Sequence, residues 1–383
     1  MSATLRKMTH EEAVAEVYRL TPQLREYDEF MYLGVRWLPY TMFFHLTDYR
    51  SAVINTDAFG FRRNSVESGG HSIAAFPHDR VVNLVVGGST ALGTGTSSDA
   101  STVSSWLCER TGELWLNFAG RGYNSTQELV LFLMHQHRFK RIGHVILLSG
   151  ANTLTLEGLP DELATEHGRY YYSYEFGHYM EQYNDDLRRR KNSYASAVSG
   201  RDGSMLARLK KRFGGSGPDI NPADTVITDE GIDRDQRVDR AIFSVLNALG
   251  QWQALLAPSG AKLSYALQPV SRWTKDSFHD EEEAMFHAID CCANNFWRMF
   301  GSLLGPEVYA RYKRGIEEGC RALGVPFLDV NAALGASPVA QENIFVDHLH
   351  FNDAGYIETA RLLHDAFVAD PTARINEPAL ENA

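Results

Sequence analysis

The stretch Val81-Val82-Asn83-Leu84-Val85-Val86 sets five apolar residues around a single asparagine and runs straight into Gly87-Gly88-Ser89-Thr90. A short apolar run ended by glycines reads as a strand covered on both faces, the condition of strands in a parallel sheet. Gly87 and Gly88 permit a sharp turn, so Ser89 is delivered at the carboxyl end of the strand, where open α/β sheets take their ligands. The chain continues through a small-residue loop to Asp99 and then into a helical pattern around Val103, Trp106 and Leu107. A serine hinged between strand and helix is a nucleophile geometry. An ordinary turn and a phosphate cradle are the alternatives, but the loop has neither the lysine of a P-loop nor a Gly-x-Gly-x-x-Gly run.

From Val81 onward strands alternate with helices, which predicts βαβ units and a parallel sheet. Further strands are expected at Leu114–Phe118, His144–Leu148, Lys262–Leu267 and Val325–Val330. Between them, Ser125-x-x-Glu128 reads as a capping box that opens a helix. Other helices are expected over Arg237–Leu256, Glu281–Phe300, Pro306–Leu323 and Asp353–Phe367, with Asp353 well placed to cap the last. Residues 1–80 read as an extension packed on this domain, with a helix near Glu11–Leu20 and turns through Asn55–Asn64, and the tail 371–383 as frayed.

The 383 residues, 44% of them hydrophobic, suffice for one large α/β domain with an insertion. A net charge of −11 argues against a nucleic-acid partner or an anionic membrane surface, which call for a basic field. The most apolar early stretch, Met31–Leu46, is broken by Arg36, Pro39 and His45, so no membrane span is expected. Met1–Glu12 lacks the apolar centre of a secretory signal. Four cysteines without Cys-x-x-Cys spacing fit a reduced, cytoplasmic protein.

The region Leu159–Val226 breaks the alternation. Tyr170, Tyr171, Tyr172, Tyr174, Phe176, Tyr179 and Tyr183 precede the basic run Arg188–Lys191, and a second run, Lys210–Arg212, follows. So many aromatic residues require burial, which suggests an inserted lid over the carboxyl edge of the sheet, a homo-oligomer contact, or the insertion's own core. The basic run is expected to be a solvated face.

Strand ends present Ser89, Gly122 and Asn152, and Asp347-His348-Leu349-His350 stands ahead of the last helix. In an Asp-x-x-His turn the carboxylate can return to the imidazole Nδ1, leaving Nε2 to take a proton from a serine. A metal site of Asp347, His348 and His350 is the competing reading, although further ligands cannot be assigned.

These blocks, in this order, resemble the SGNH hydrolases, the GDSL-like esterase superfamily. Gly87-Gly88-Ser89 resembles the first block with Gly88 in place of its aspartate, and Asn117 to Gly122 resembles the second. Gly150-Ala151-Asn152-Thr153 resembles the third with Thr153 in place of its aspartate, and Asp347 to His350 fits the last. The resemblance covers roughly 81–152 and 325–367, and Asn55–Arg62 looks like a lead-in found in some members. It implies a three-layer α/β/α sandwich with a five-stranded parallel sheet in flavodoxin-like order. It also implies a Ser89, His350, Asp347 triad and an oxyanion hole from Ser89, Gly122 and Asn152, with no cofactor or metal. The expected partner is a small-molecule carboxylic ester, such as an O-acetyl group on a sugar. Acyl transfer by the same triad and a non-catalytic binding protein are the alternatives.

Overall fold

The computed structural model describes residues 7–32, 36–38, 40–67, 69–158, 169–171, 180–192, 233–292 and 300–369. The chain divides into two compact units, one of residues 1–158 with 231–383 and one of residues 159–230.

The first unit begins with helices α1 (His10–Leu20), which Thr9 and Glu12 close with a reciprocal capping box, and α2 (Leu24–Tyr32). A hairpin of β1 (Arg36–Leu38) and β2 (Met42–Phe44) follows. Val17, Leu24, Tyr27, Phe30, Val53 and Ile54 bury their side chains with Met285, Ala288 and Val346 from late in the chain, a core separate from that of the main sheet.

The main sheet comprises β3 (Val82–Gly87), β4 (Leu114–Ala119), β5 (Ile142–Ser149), β6 (Lys262–Leu267) and β7 (Phe327–Asp329). Their order is β4-β3-β5-β6-β7 and every neighbouring pair is parallel. Counted within the sheet this is 2-1-3-4-5, the doubly wound order whose switch point lies beside the first strand. Every residue of β3 is buried, Asn83 included, as expected for a strand covered on both faces.

Helices cover both faces. On one, α3 (Ser89–Leu92) and α4 (Val103–Thr111) pack with α11 (Val330–Gly335) and α12 (Asp353–Leu363) around Trp115, Ile146, Leu148 and Ala266. On the other lie α5 (Ser125–His135), α6 (Ala151–Glu157) and α7 (Arg234–Leu256), with Phe132 against Trp252 at 4.5 Å. Short α8 (Ser271–Thr274), α9 (Asp280–Cys291) and α10 (Pro306–Leu323) complete the unit.

Several boundaries differ from expectation. The helix expected over Glu281–Phe300 ends at Cys291, where Cys292 turns extended. The capping box of α5 is built one residue earlier, from Asn124 and Gln127, because Glu128 turns inward. β7 stops at Asp329, whose carboxylate accepts from the Asn331 N–H and opens α11. Asn352 rather than Asp353 caps α12, leaving the Asp353 carboxylate to accept from the Ser97 N–H at 2.7 Å.

Of the second unit, the described residues are 169–171 and the helical segment 180–192, where Tyr170 is buried and Arg188 to Lys191 are exposed, but Tyr183, expected to be buried, is exposed as well. The expectations for Tyr172, Tyr174, Phe176, Tyr179, Lys210–Arg212 and the tail 371–383 fall outside the described residues. Among the described residues, no helix is long and apolar enough to cross a membrane. All four cysteines are free thiols.

Candidate active site

Ser89 is the first residue of α3, directly after β3, so its own N–H has no partner within the helix. Its hydroxyl lies 2.7 Å from His350 Nε2. His350 stands on the loop between α11 and α12, and its Nδ1 is 2.6 Å from Asp347 Oδ2. The other Asp347 oxygen accepts from the backbone N–H groups of Leu349 (2.7 Å) and His350 (2.8 Å). A tight turn thus folds the carboxylate back onto its own imidazole. Burial raises the Asp347 carboxyl, but the His350 charge, its hydrogen bond and the two backbone donors together outweigh burial and hold it below the usual carboxylate range. A hydroxyl facing an imidazole whose far nitrogen meets an ionised carboxylate is equipped to lose a proton as it attacks an electrophile.

His348, two residues away, points elsewhere. Its Nε2 is 3.1 Å from Asp290 Oδ1 and its ring stacks on Phe286 at 4.4 Å, while both nitrogens of His350 are already engaged. The three side chains Asp347, His348 and His350 therefore do not converge as a metal site.

Asn152 lies in the first turn of α6, after β5. Its Nδ2 donates to the Tyr123 carbonyl at 3.0 Å and packs so closely on Gly88 that a Cβ there would come within 2.3 Å of it. This contact gives a steric reason for glycine beside the serine. Gly122, next to Tyr123, adopts φ +68°, a conformation that glycine enters without strain. Its neighbours spend their N–H groups internally: Gly120 donates to the Gly87 carbonyl at 3.0 Å, Arg121 to His45 at 2.9 Å and Tyr123 to the Gly120 carbonyl at 3.0 Å. The Gly122 N–H donates to no described residue. Thr153, the residue after Asn152, accepts from the Ser125 N–H at 3.0 Å and so ties α6 to the start of α5.

Several residues around this centre had no role in the sequence reading. Arg62, fully buried, pairs with Asp99 at 2.8 Å and donates to the carbonyls of Leu92, Gly93 and Val53, to Tyr27 and to Thr96. It thereby holds the loop just after the serine. Gln268 donates to the Thr90 hydroxyl at 2.8 Å, joining the end of β6 to the residue after Ser89. Arg62 sits in the segment read as a lead-in, and Gln268 ends a predicted strand, but neither spacing shows the partner.

Glu128 is buried behind the third strand end and accepts from the Ser149 hydroxyl at 2.6 Å. Burial, only partly offset by that hydrogen bond, raises its carboxyl to about 8. Because the folded value lies above the unfolded one, its stabilising contribution is fully present below about pH 4.5 and lost as pH rises through about 8. In Glu128→Gln, an amide that cannot ionise, the stability loss between pH 5 and 8.5 should shrink by a few kcal/mol relative to wild type. Urea unfolding across that range measures the difference, in which the titration of the histidines cancels; parallel curves would show that Glu128 is ionised in the fold.

No family model and no curated protein matches the chain. Solved structures that it resembles include a member of the lipolytic G-D-S-L family from Veillonella parvula, at 9% identity and TM-score 0.40, covering 76% of this chain and 100% of that one. An acetyl xylan esterase is similar at 11% identity and TM-score 0.37, covering 75% and 100%. A GDSL-like lipase from Bacteroides thetaiotaomicron is similar at 10% identity and TM-score 0.36, covering 77% and 93%.

Proposed function

We propose that the protein is a serine hydrolase that cleaves a carboxylic ester of a small molecule, such as an O-acetyl group, through an acyl-enzyme on Ser89. The observation that carries this reading is the continuous hydrogen-bonded line from Ser89 Oγ to His350 Nε2 (2.7 Å) and from His350 Nδ1 to Asp347 (2.6 Å). His350 takes the serine proton as Oγ attacks the ester carbonyl, and Asp347 stabilises the imidazolium and fixes its orientation. The oxyanion is met by the N–H groups of Ser89 and Gly122 and by Asn152 Nδ2. His350 then protonates the departing alcohol, and water, activated by the same imidazole, releases the acid.

The test is incubation with a fluorophosphonate probe and a short-chain aryl ester. Labelling confined to Ser89 together with ester turnover supports the reading, and wild type no more reactive than Ser89→Ala rejects it. A second result is expected at Gly88. Gly88→Ala should lower kcat/KM about 10- to 100-fold, because the added methyl must displace Asn152 from its contact. Steady-state kinetics read this directly, and unchanged turnover would remove Asn152 from the oxyanion hole.

A further inference from the structure

We propose that His45, in the N-terminal segment, is a positioning residue for the oxyanion hole: its imidazole fixes the Arg121 peptide and so aims the Gly122 N–H. The proposal rests on the hydrolase reading above for its kinetic consequence, but not for its structural one.

The Arg121 N–H donates to His45 Nε2 at 2.9 Å. A backbone N–H can only donate, so Nε2 carries no proton and Nδ1 does. Nδ1–H then donates to the Gly60 carbonyl at 3.0 Å. The ring is buried, stacked on Phe44 at 4.4 Å and set against Phe30 at 5.5 Å, which fixes its plane. Burial lowers the imidazole to about 3; the Gly60 hydrogen bond opposes this, and the charges of Arg121, Arg36 and Arg62 add to it. The acceptor toward Arg121 therefore persists throughout the neutral pH range.

The loop gives this one bond leverage. Gly120 and Tyr123 spend their N–H groups on carbonyls of the sheet and the loop itself, whereas the Arg121 N–H is held by the His45 imidazole. The peptide between Gly120 and Arg121 is pinned through that N–H, and the next N–H in the chain is that of Gly122. Without the acceptor the Arg121 peptide can rotate and carry the Gly122 donor off its line. The segment from β2 to Arg62 is then part of the catalytic apparatus rather than only a cover.

Two amide substitutions separate positioning from packing, because each keeps one half of the imidazole. In His45→Gln the side-chain oxygen reaches the place of Nε2 and can accept from Arg121. In His45→Asn the amide reaches only the place of Nδ1, toward Gly60. Both lose the ring, so thermal unfolding should fall similarly in the two. Amide hydrogen exchange of residues 118–125 should speed up at Arg121 in the asparagine variant and stay near wild type in the glutamine variant. kcat for the aryl ester should fall about 10- to 100-fold in the asparagine variant, with KM little changed, and by less than about 3-fold in the glutamine variant. Equal exchange in the two variants, or activity that follows the unfolding temperature alone, overturns the proposal. If exchange differs as expected but Ser89→Ala hydrolyses the ester as well as wild type, the hydrolase reading fails while the anchoring of Arg121 by His45 stands.

Discussion

Ser89→Ala should lower kcat/KM for a short-chain aryl ester by at least about three orders of magnitude and abolish fluorophosphonate labelling. The variant should remain folded, because it loses one hydroxyl at the edge of a small helix and no apolar packing. Asp347 offers a sharper form of the same test. In Asp347→Asn the amide oxygen can still accept from the Leu349 and His350 N–H groups, so the turn survives, but the amide nitrogen now faces Nδ1. That reverses the imidazole tautomer and puts a proton on the nitrogen that should receive one from Ser89. A loss of about 10³- to 10⁴-fold in kcat is expected. Asp347→Ala, which releases the turn as well, should be no more active and should also unfold more easily. A loss of only a few-fold in Ser89→Ala would mean that turnover at this site does not depend on a serine nucleophile.

The largest expected effect on stability is at Arg62. Arg62→Met keeps the length of the stem but removes every donor, leaving the buried Asp99 carboxylate with Asn55 but no cation and the Val53 carbonyl without its side-chain donor, while the Leu92 and Gly93 carbonyls keep Asn117 and Tyr27. Breaking a buried pair by deleting one member leaves an uncompensated charge, at a cost of about 3–5 kcal/mol. Lysine should recover only part of this, since one ammonium cannot reproduce the planar fork. Denaturant unfolding of the three proteins measures the series. A change below about 1 kcal/mol for methionine would show that the network relaxes or hydrates without cost.

The parts of this architecture that local pattern could reveal are those made by near neighbours in sequence. Largely apolar runs mark β3 and β5, and β6 matches its predicted bounds, because burial on both faces favours such composition. Asp347 and His350 were legible for a similar reason, since three residues of chain suffice to bring them together. The capping of α5 is ambiguous by one residue in the sequence because Asn124-x-x-Gln127 and Ser125-x-x-Glu128 are overlapping patterns, and only the side-chain partners in the fold, Gln127 on the Asn124 N–H and Glu128 on Ser149, separate them. The hairpin β1–β2 gave little local signal, since Tyr40 and Met42 take φ +73° and +71° where a turn motif would lead with glycine or asparagine. The contacts of His45 and Arg62 are opaque in the sequence because their partners, Arg121 and Gly93, are set by tertiary packing.

Ser89 and His350, the proposed nucleophile and its base, meet across 261 residues of chain. β3 lies inside the sheet, so β4 and β5 can pair on either side of it while the chain is still being synthesised. The helix that follows Ser89 can likewise form at once. The imidazole comes only with one of the last segments of the domain, after β7, and closing so long a loop is among the slower steps of folding. A nascent chain would therefore carry an inert serine on a nearly finished scaffold, and reactivity would switch on late, when the C-terminal turn docks. On that reading the distance along the chain would act as a timer that keeps the serine silent until the scaffold around it has assembled.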